Sequence, residues 1–141
     1  MKKFLVLFIA VIGMTTATYA QTTCDALVKE CEKILKGKKG DFVSDGQVYT
    51  ALLDRQKAEF TTTFYGGTTY RIACTAGTDD AYVIFTVKDV DGNILFTNRK
   101  YKNSSYWDFK VPTTIPVTIE TELDLDKKVT GCAIMMIGFK R

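Results

Sequence analysis

The stretch Asp89-Val90-Asp91-Gly92-Asn93 crowds two carboxylates and an amide around a glycine. An EF-hand calcium loop needs ligands at alternate positions, a glycine at the sixth and a distant glutamate. Here the glycine is fourth from Asp89 and no glutamate follows within reach. Asp91-Gly92 between alternating apolar runs is a hairpin signal, because glycine takes positive φ without penalty. The turn is expected to draw its geometry from Asp91, Gly92 and Asn93, leaving Asp89 dispensable. A weak surface calcium on Asp79, Asp80 or Asp89 stays open, and no metal or other cofactor is assigned. Glu120 and Glu122 share one side of a strand, opposite Ile119, Thr121 and Leu123. Their spacing of ~7 Å is near that of glycosidase acids, but such acids flank a cleft rather than stand in file on one strand. A solvated face is the expectation. Ser44, Ser104 and Ser105 have no histidine to activate them, since the chain contains none. Gly66-Gly67 opens a strand rather than a helix, so it makes no phosphate loop. No catalytic residue is assigned.

The aromatic segment "YKNSSYWDF" carries the best binding signal. Trp107, Phe109 and Val111 share a parity and should point inward. Tyr106 and Asp108 then point outward, beside Tyr101 in the preceding loop. Tyr101, Tyr106 and Asp108, with Asn98 and Asn103 near them, form the candidate ligand surface, suited to stacking on a sugar; a packed loop is the alternative. Four cysteines, Cys24, Cys31, Cys74 and Cys132, read as disulfides in an oxidising compartment, whereas no C-x-x-C pair speaks for zinc.

The elements that position these residues follow from periodicity. Lys2 and Lys3, the apolar run Phe4–Met14 and small residues ending at Ala20 have the form of a secretory signal over residues 1–20. An uncleaved anchor is the alternative, and the apolar run is short of the ~20 residues a span needs. The chain from Gln21 keeps 17 basic and 16 acidic residues, after Lys2 and Lys3 are removed from the full count. That balance gives no reason to expect nucleic acid or an anionic membrane as partner. The remaining length, about 120 residues, suits one domain. Within residues 21–40, Cys24, Leu27, Val28, Cys31, Ile34 and Leu35 form one helical face. Thr22 or Thr23 should cap it, with Asp25 near the positive end of its dipole. Lys36, Lys38 and Lys39 suit the other end, where Gly37 and Gly40 stop the helix.

Over residues 41–141 the period becomes two. Strands are expected at 47–53, 58–64, 69–76, 81–89, 94–98, 106–111, 115–123 and 131–140. The last, "GCAIMMIGFK", is apolar on both parities and should be a central strand covered on both faces. Eight short antiparallel strands predict a β-sandwich, most simply a jelly roll, preceded by one amphipathic helix. In a jelly roll the eighth strand lies antiparallel beside the third. Cys74 and Cys132 would then face each other, which predicts a Cys74–Cys132 disulfide. Cys24 and Cys31 are ~10.5 Å apart in an intact helix, too far to pair. The competing arrangement bonds the helix cysteines to the strand cysteines.

The run "FYGGTTYRIACTAG…VIFTVKDVDGNILFTN…YWDFKVPTTIPVTIE…GCAIMMIGF" resembles small secreted or periplasmic bacterial β-sandwich proteins of unassigned function. More distantly it is similar to the GOLD and pre-peptidase C-terminal (PPC) jelly-roll modules over residues 47–140. The resemblance implies a non-catalytic accessory that binds protein, polysaccharide or cargo. The expectation is therefore a secreted or periplasmic, non-enzymatic binding or structural module with an envelope protein or polysaccharide as partner. The alternative is a small envelope hydrolase using carboxylates, which acids of raised pKa in a cleft would mark.

Overall fold

The computed structural model describes residues 17–77 and 82–141. It has one helix, α1 (Ala17–Lys36), followed by β1 (Phe42–Asp54), β2 (Ala58–Phe64), β3 (Thr68–Thr75), β4 (Val83–Lys88), β5 (Ile94–Thr97), β6 (Tyr106–Val111), β7 (Ile115–Leu123) and β8 (Thr130–Lys140). A 3-10 turn at Asn98–Tyr101 follows β5. The strands form two four-stranded sheets in the orders β1-β8-β3-β6 and β2-β7-β4-β5. All described pairings are antiparallel. This is the strand order of a jelly roll, as the alternating patterns predicted. Most of the expected leader, and the Asp79-Asp80 pair, lie outside the described residues.

Alternation along the strands builds the core between the sheets. Tyr70, Ile72 and Cys74 of β3 meet Ala133, Met135 and Ile137 of β8 on one inner face. Phe85 and Val87 of β4 meet Val117, Ile119 and Leu123 of β7 on the other. The opposite parity of β8, Cys132, Ile134 and Met136, packs against α1 through Cys24, Leu27, Cys31 and Leu35. The helix thus covers the outer face of the first sheet, as its apolar stripe predicts. Burying a leucine such as Leu35 contributes ~1.5–3 kcal/mol. Pro116 sits at the start of β7, across from Thr63 of the edge strand β2 and two residues before the pairing with β4 begins at Thr118.

Three expectations are corrected. α1 is already helical at Ala17, so Thr22 and Thr23 lie inside the helix rather than at its cap, and Asp25 is not in its first turn. The disulfide joins Cys24 to Cys132, with the Cα atoms 5.8 Å apart. A Cys74–Cys132 bond does not form, although β3 and β8 do pair. Their register sets Cys74 opposite Met135, three residues from Cys132. An odd offset along a strand reverses the face, so Cys74 points between the sheets while Cys132 points at the helix.

Cys31 and Cys74 remain as buried thiols. Cys31 Sγ donates toward the Ala73 carbonyl at 3.4 Å, deep under the helix. Burial pushes its pKa up to about 12 and raises that of Cys74 as well. Both should be inert while the protein is folded. Peptide mapping of the unreduced protein should join the Cys24 and Cys132 peptides, and a thiol reagent should find two thiols only after denaturation. Replacing both bonded cysteines by serine should cost ~2–4 kcal/mol of stability in urea melts. A crosslink from Cys74, or rapid labelling of the native protein, would contradict this arrangement.

Candidate functional site

The segment "YKNSSYWDF" is split by the fold between two surfaces. Trp107 and Phe109 enter the gap between the sheets, partly buried against the core. Tyr106 and Asp108, of opposite parity, stand on the outer face near the helix. Tyr101 does not join Tyr106. It packs instead at a 37° tilt against Trp107, with ring centroids 4.2 Å apart, and stacks on Phe96 at 5.6 Å. The exposed tyrosine pair read from the sequence therefore does not exist. Tyr101 and Tyr106 belong to opposite faces of the sheet that contains β6.

Asp108 and Tyr106 fasten the helix. Asp108 lies directly across from Arg71 in the β3–β6 ladder. Its carboxylate accepts from Arg71 Nε at 2.6 Å and Nη2 at 2.8 Å, a bidentate pair. The same guanidinium donates from Nη1 to the carbonyls of Ile34 and Leu35 at the end of α1, both at 3.4 Å. The Phe42 and Tyr106 rings flank it, at 4.0 and 4.4 Å from its central carbon. Hydrogen bonding to Asp108 raises the Arg71 pKa above its ordinary value. Gly37, at φ +64°, ends the helix, and a Cβ there would come 2.6 Å from Arg71 Nη1. Beside this clamp lies an open recess of about 560 Å³, bordered by Lys33, Lys36, Lys38, Lys39, Asp41 and Tyr106.

The second surface is the seam between the sheet edges β5 and β6. Phe96 lies 5.0 Å from Trp107 and meets Phe109 edge-on at 5.0 Å. Phe109 continues to Phe64 at 6.2 Å. These rings lead from the Tyr101–Trp107 pair into an apolar recess of about 370 Å³ walled by Phe64, Leu95, Phe96, Phe109 and Ile115. Leu95 on its wall is 51% exposed, and Tyr101 beside Phe96 is 48% exposed. The opposite seam is shut, because Tyr49 of β1 stacks on Phe60 of β2 at 3.9 Å.

Asn98 and Asn103 are structural rather than ligand-facing. Asn98 is fully buried. Its Oδ1 accepts from the Phe85 N–H at 2.9 Å, and its Nδ2 donates to the carbonyls of Val83 at 2.9 Å and Ser104 at 3.0 Å. The amide continues the β4 ladder where β5 stops at Thr97. Asn103 Nδ2 donates to Asp124 at 2.8 Å. The turn after β4 also differs from expectation in one residue. Asp89 is not dispensable to its geometry: the carboxylate accepts from the N–H groups of Asp91 and Asn93 and from Asn93 Nδ2, at 2.8–3.0 Å. Gly92, at φ +83°, supplies the positive-φ position as predicted. Those bonds, the one from the Asn93 side chain foremost, hold Asp89 below the usual carboxylate range. No group of three or more metal-ligating side chains occurs among the described residues.

Glu120 and Glu122 do share the outer face of β7, and cations surround them. Lys88 bonds Glu120, Lys57 lies 3.4 Å from Glu120 and 3.8 Å from Glu122, and Arg99 donates to Glu122 at 2.8 Å. Hydrogen bonding to Lys88 lowers the Glu120 pKa. A general acid working near neutral pH needs the opposite shift.

Two stability tests follow from these contacts. Asn98→Ala orphans a buried N–H and a buried carbonyl and should cost ~2–4 kcal/mol in urea melts; a loss below 0.5 kcal/mol, well under that ~2 kcal/mol floor, would contradict the ladder role. Because the folded pKa of Glu120 is depressed, its stabilising contribution is present above the ordinary glutamate value of ~4.3 and is lost as pH falls through the folded value. Glu120→Gln should therefore destabilise at pH 7 and approach the parent protein at pH 2. An equal difference at both pH values would show that the ion pairing is not the cause.

No protein-family model matches the chain, and no curated protein or solved structure does either, so the reading of its function rests on the geometry of these two surfaces.

Proposed function

We propose that this protein is a secreted or periplasmic, non-catalytic binding module that engages an envelope protein or polysaccharide at the β5–β6 seam. One observation carries this reading: a row of touching, part-exposed aromatic rings opens onto an apolar recess between two sheet edges. Binding sites are concave, mainly apolar, and held on rigid elements. Aromatic anchors also supply large contact area at small entropic cost. The seam fits that description, while the paired carboxylates of β7 are neutralised by Lys57, Lys88 and Arg99. The secretory form of residues 1–20 and the Cys24–Cys132 bond support an oxidising, extracytoplasmic location. No helix among the described residues is long and apolar enough to cross a membrane. The jelly-roll order is compatible with the resemblance to GOLD and PPC modules and is shared by many other sandwiches.

Trp107 is the single tryptophan of the chain, so its fluorescence reports on the seam. Native protein should retain an envelope component in co-purification or a glycan on an array, and that ligand should shift the Trp107 emission. The pair Leu95→Asp and Tyr101→Ser should reduce retention at least tenfold while the protein stays folded, since both side chains are half exposed and the lost Tyr101 ring contacts cost only about 0.5–1.5 kcal/mol each. A ligand held equally by the double variant, or one that leaves Trp107 unperturbed, overturns the reading. Amino-terminal sequencing of the exported protein should begin at Gln21.

A further inference from the structure

The recess beside the Arg71 clamp is chemically unlike the seam. Lys33, Lys36, Lys38, Lys39 and Arg71 border it, and Asp41 is the one carboxylate among its lining residues. Asp108 adds a second carboxylate through its pair with Arg71 and Glu30 a third through its pair with Lys33, leaving an excess of two positive charges. Lysines at a helix C-terminus ordinarily complement the dipole and its unpaired carbonyls. Here three of the last four carbonyls are already engaged. The Lys33 carbonyl accepts from the Gly37 N–H at 3.1 Å, and the Ile34 and Leu35 carbonyls accept from Arg71. Lys33 pairs with Glu30 at 3.4 Å, whereas Lys36, Lys38 and Lys39 have no ion-pair partner among the described residues. Like charges gathered around a concavity repel one another unless an anion from solution enters.

The other walls narrow the class of anion. Tyr106 rests on the Arg71 guanidinium and is 44% exposed, which leaves part of its ring free for the C–H groups of a pyranose. Asp41 can accept from a hydroxyl and would repel a bare dianion. The volume, about 560 Å³, falls within the range of small-ligand pockets. A flat lipid surface would not fill a concave recess or use its acceptor. We infer that this recess binds an acidic saccharide, with the lysine ammonium groups on its carboxylate or sulfate, Tyr106 against its ring and Asp41 on a hydroxyl. The inference is independent of the seam, and the residues tested belong to neither the core nor the seam.

The test is titration of the full protein with oligogalacturonate and with a sulfated chondroitin fragment, followed by NMR amide shifts and calorimetry. The controls are fully methyl-esterified oligogalacturonate, inorganic phosphate and vesicles of phosphatidylglycerol. At least one acidic saccharide should bind saturably, shift amides of residues 36–42 and 105–106, and weaken at least tenfold between 0.05 and 1 M salt, as charge screening requires. Lys38→Ser combined with Lys39→Ser should weaken binding at least tenfold with a melting temperature within a degree or two of the parent, and Tyr106→Leu should weaken it at least threefold at a temperature where that variant is fully folded. The esterified oligomer should not bind. Several results would each overturn the assignment: neither acidic saccharide binding, phosphate or vesicles binding as tightly, the ester binding equally, or affinity unchanged in the lysine variant. Trp107 emission should stay constant throughout, which separates this recess from the seam.

Discussion

Strand β8 carries seven consecutive buried residues, Cys132 to Gly138, and that two-sided burial governs the rest of the molecule. A strand apolar on both parities must be dry on both faces. The opposing sheet supplies one cover through Phe85, Ile119 and Leu123. Only α1 is left to supply the other. Its stripe is modest in size, and it is secured at two separated points. The Cys24–Cys132 bond fixes the earlier part of the described face, and the Arg71 guanidinium grips the last carbonyls. Between them Cys31 and Leu35 seal the interface.

The clamp is economical because one side chain serves several elements. Arg71 projects from β3, binds Asp108 of β6, is flanked by Phe42 of β1 and reaches the end of α1. An arginine held this way is ordered by two aromatic rings and a bidentate carboxylate, so its removal would loosen three strands and the helix together. This is also why Asp108 has little capacity left for a ligand.

Closure of the sandwich is asymmetric. The β1–β2 side is joined by a short connection and sealed by the Tyr49–Phe60 stack. The β5–β6 side has no such seal, because β5 spans only Ile94–Thr97 and Asn98 must complete the β4 ladder with its side chain. The aromatic rings that would have been core in a wider sheet remain at the rim. Charge is distributed unevenly as well. The outer face of β7 neutralises its glutamates locally, whereas the lysines past the end of α1 face an open recess.

Periodicity by itself determined the helix face, the eight strands, the two-sided burial of β8 and the turn at Gly92, because each depends only on near neighbours in the chain. Antiparallel pairing of β3 with β8 was also legible, as a consequence of the jelly-roll order. What only the tertiary structure decided was register and what stands across from each residue. Parity says that Cys74 and Cys132 each point to one side of a strand, but only the register, Cys74 opposite Met135, shows that the sides differ. It likewise set Asp108 across from Arg71 and made a clamp from a residue that reads as exposed. The 3-10 turn at Asn98–Tyr101 carried Tyr101 onto Trp107, away from Tyr106, and drew Asn98 inward. Such placements arise from contacts between residues distant in sequence, for which local spacing contains no information.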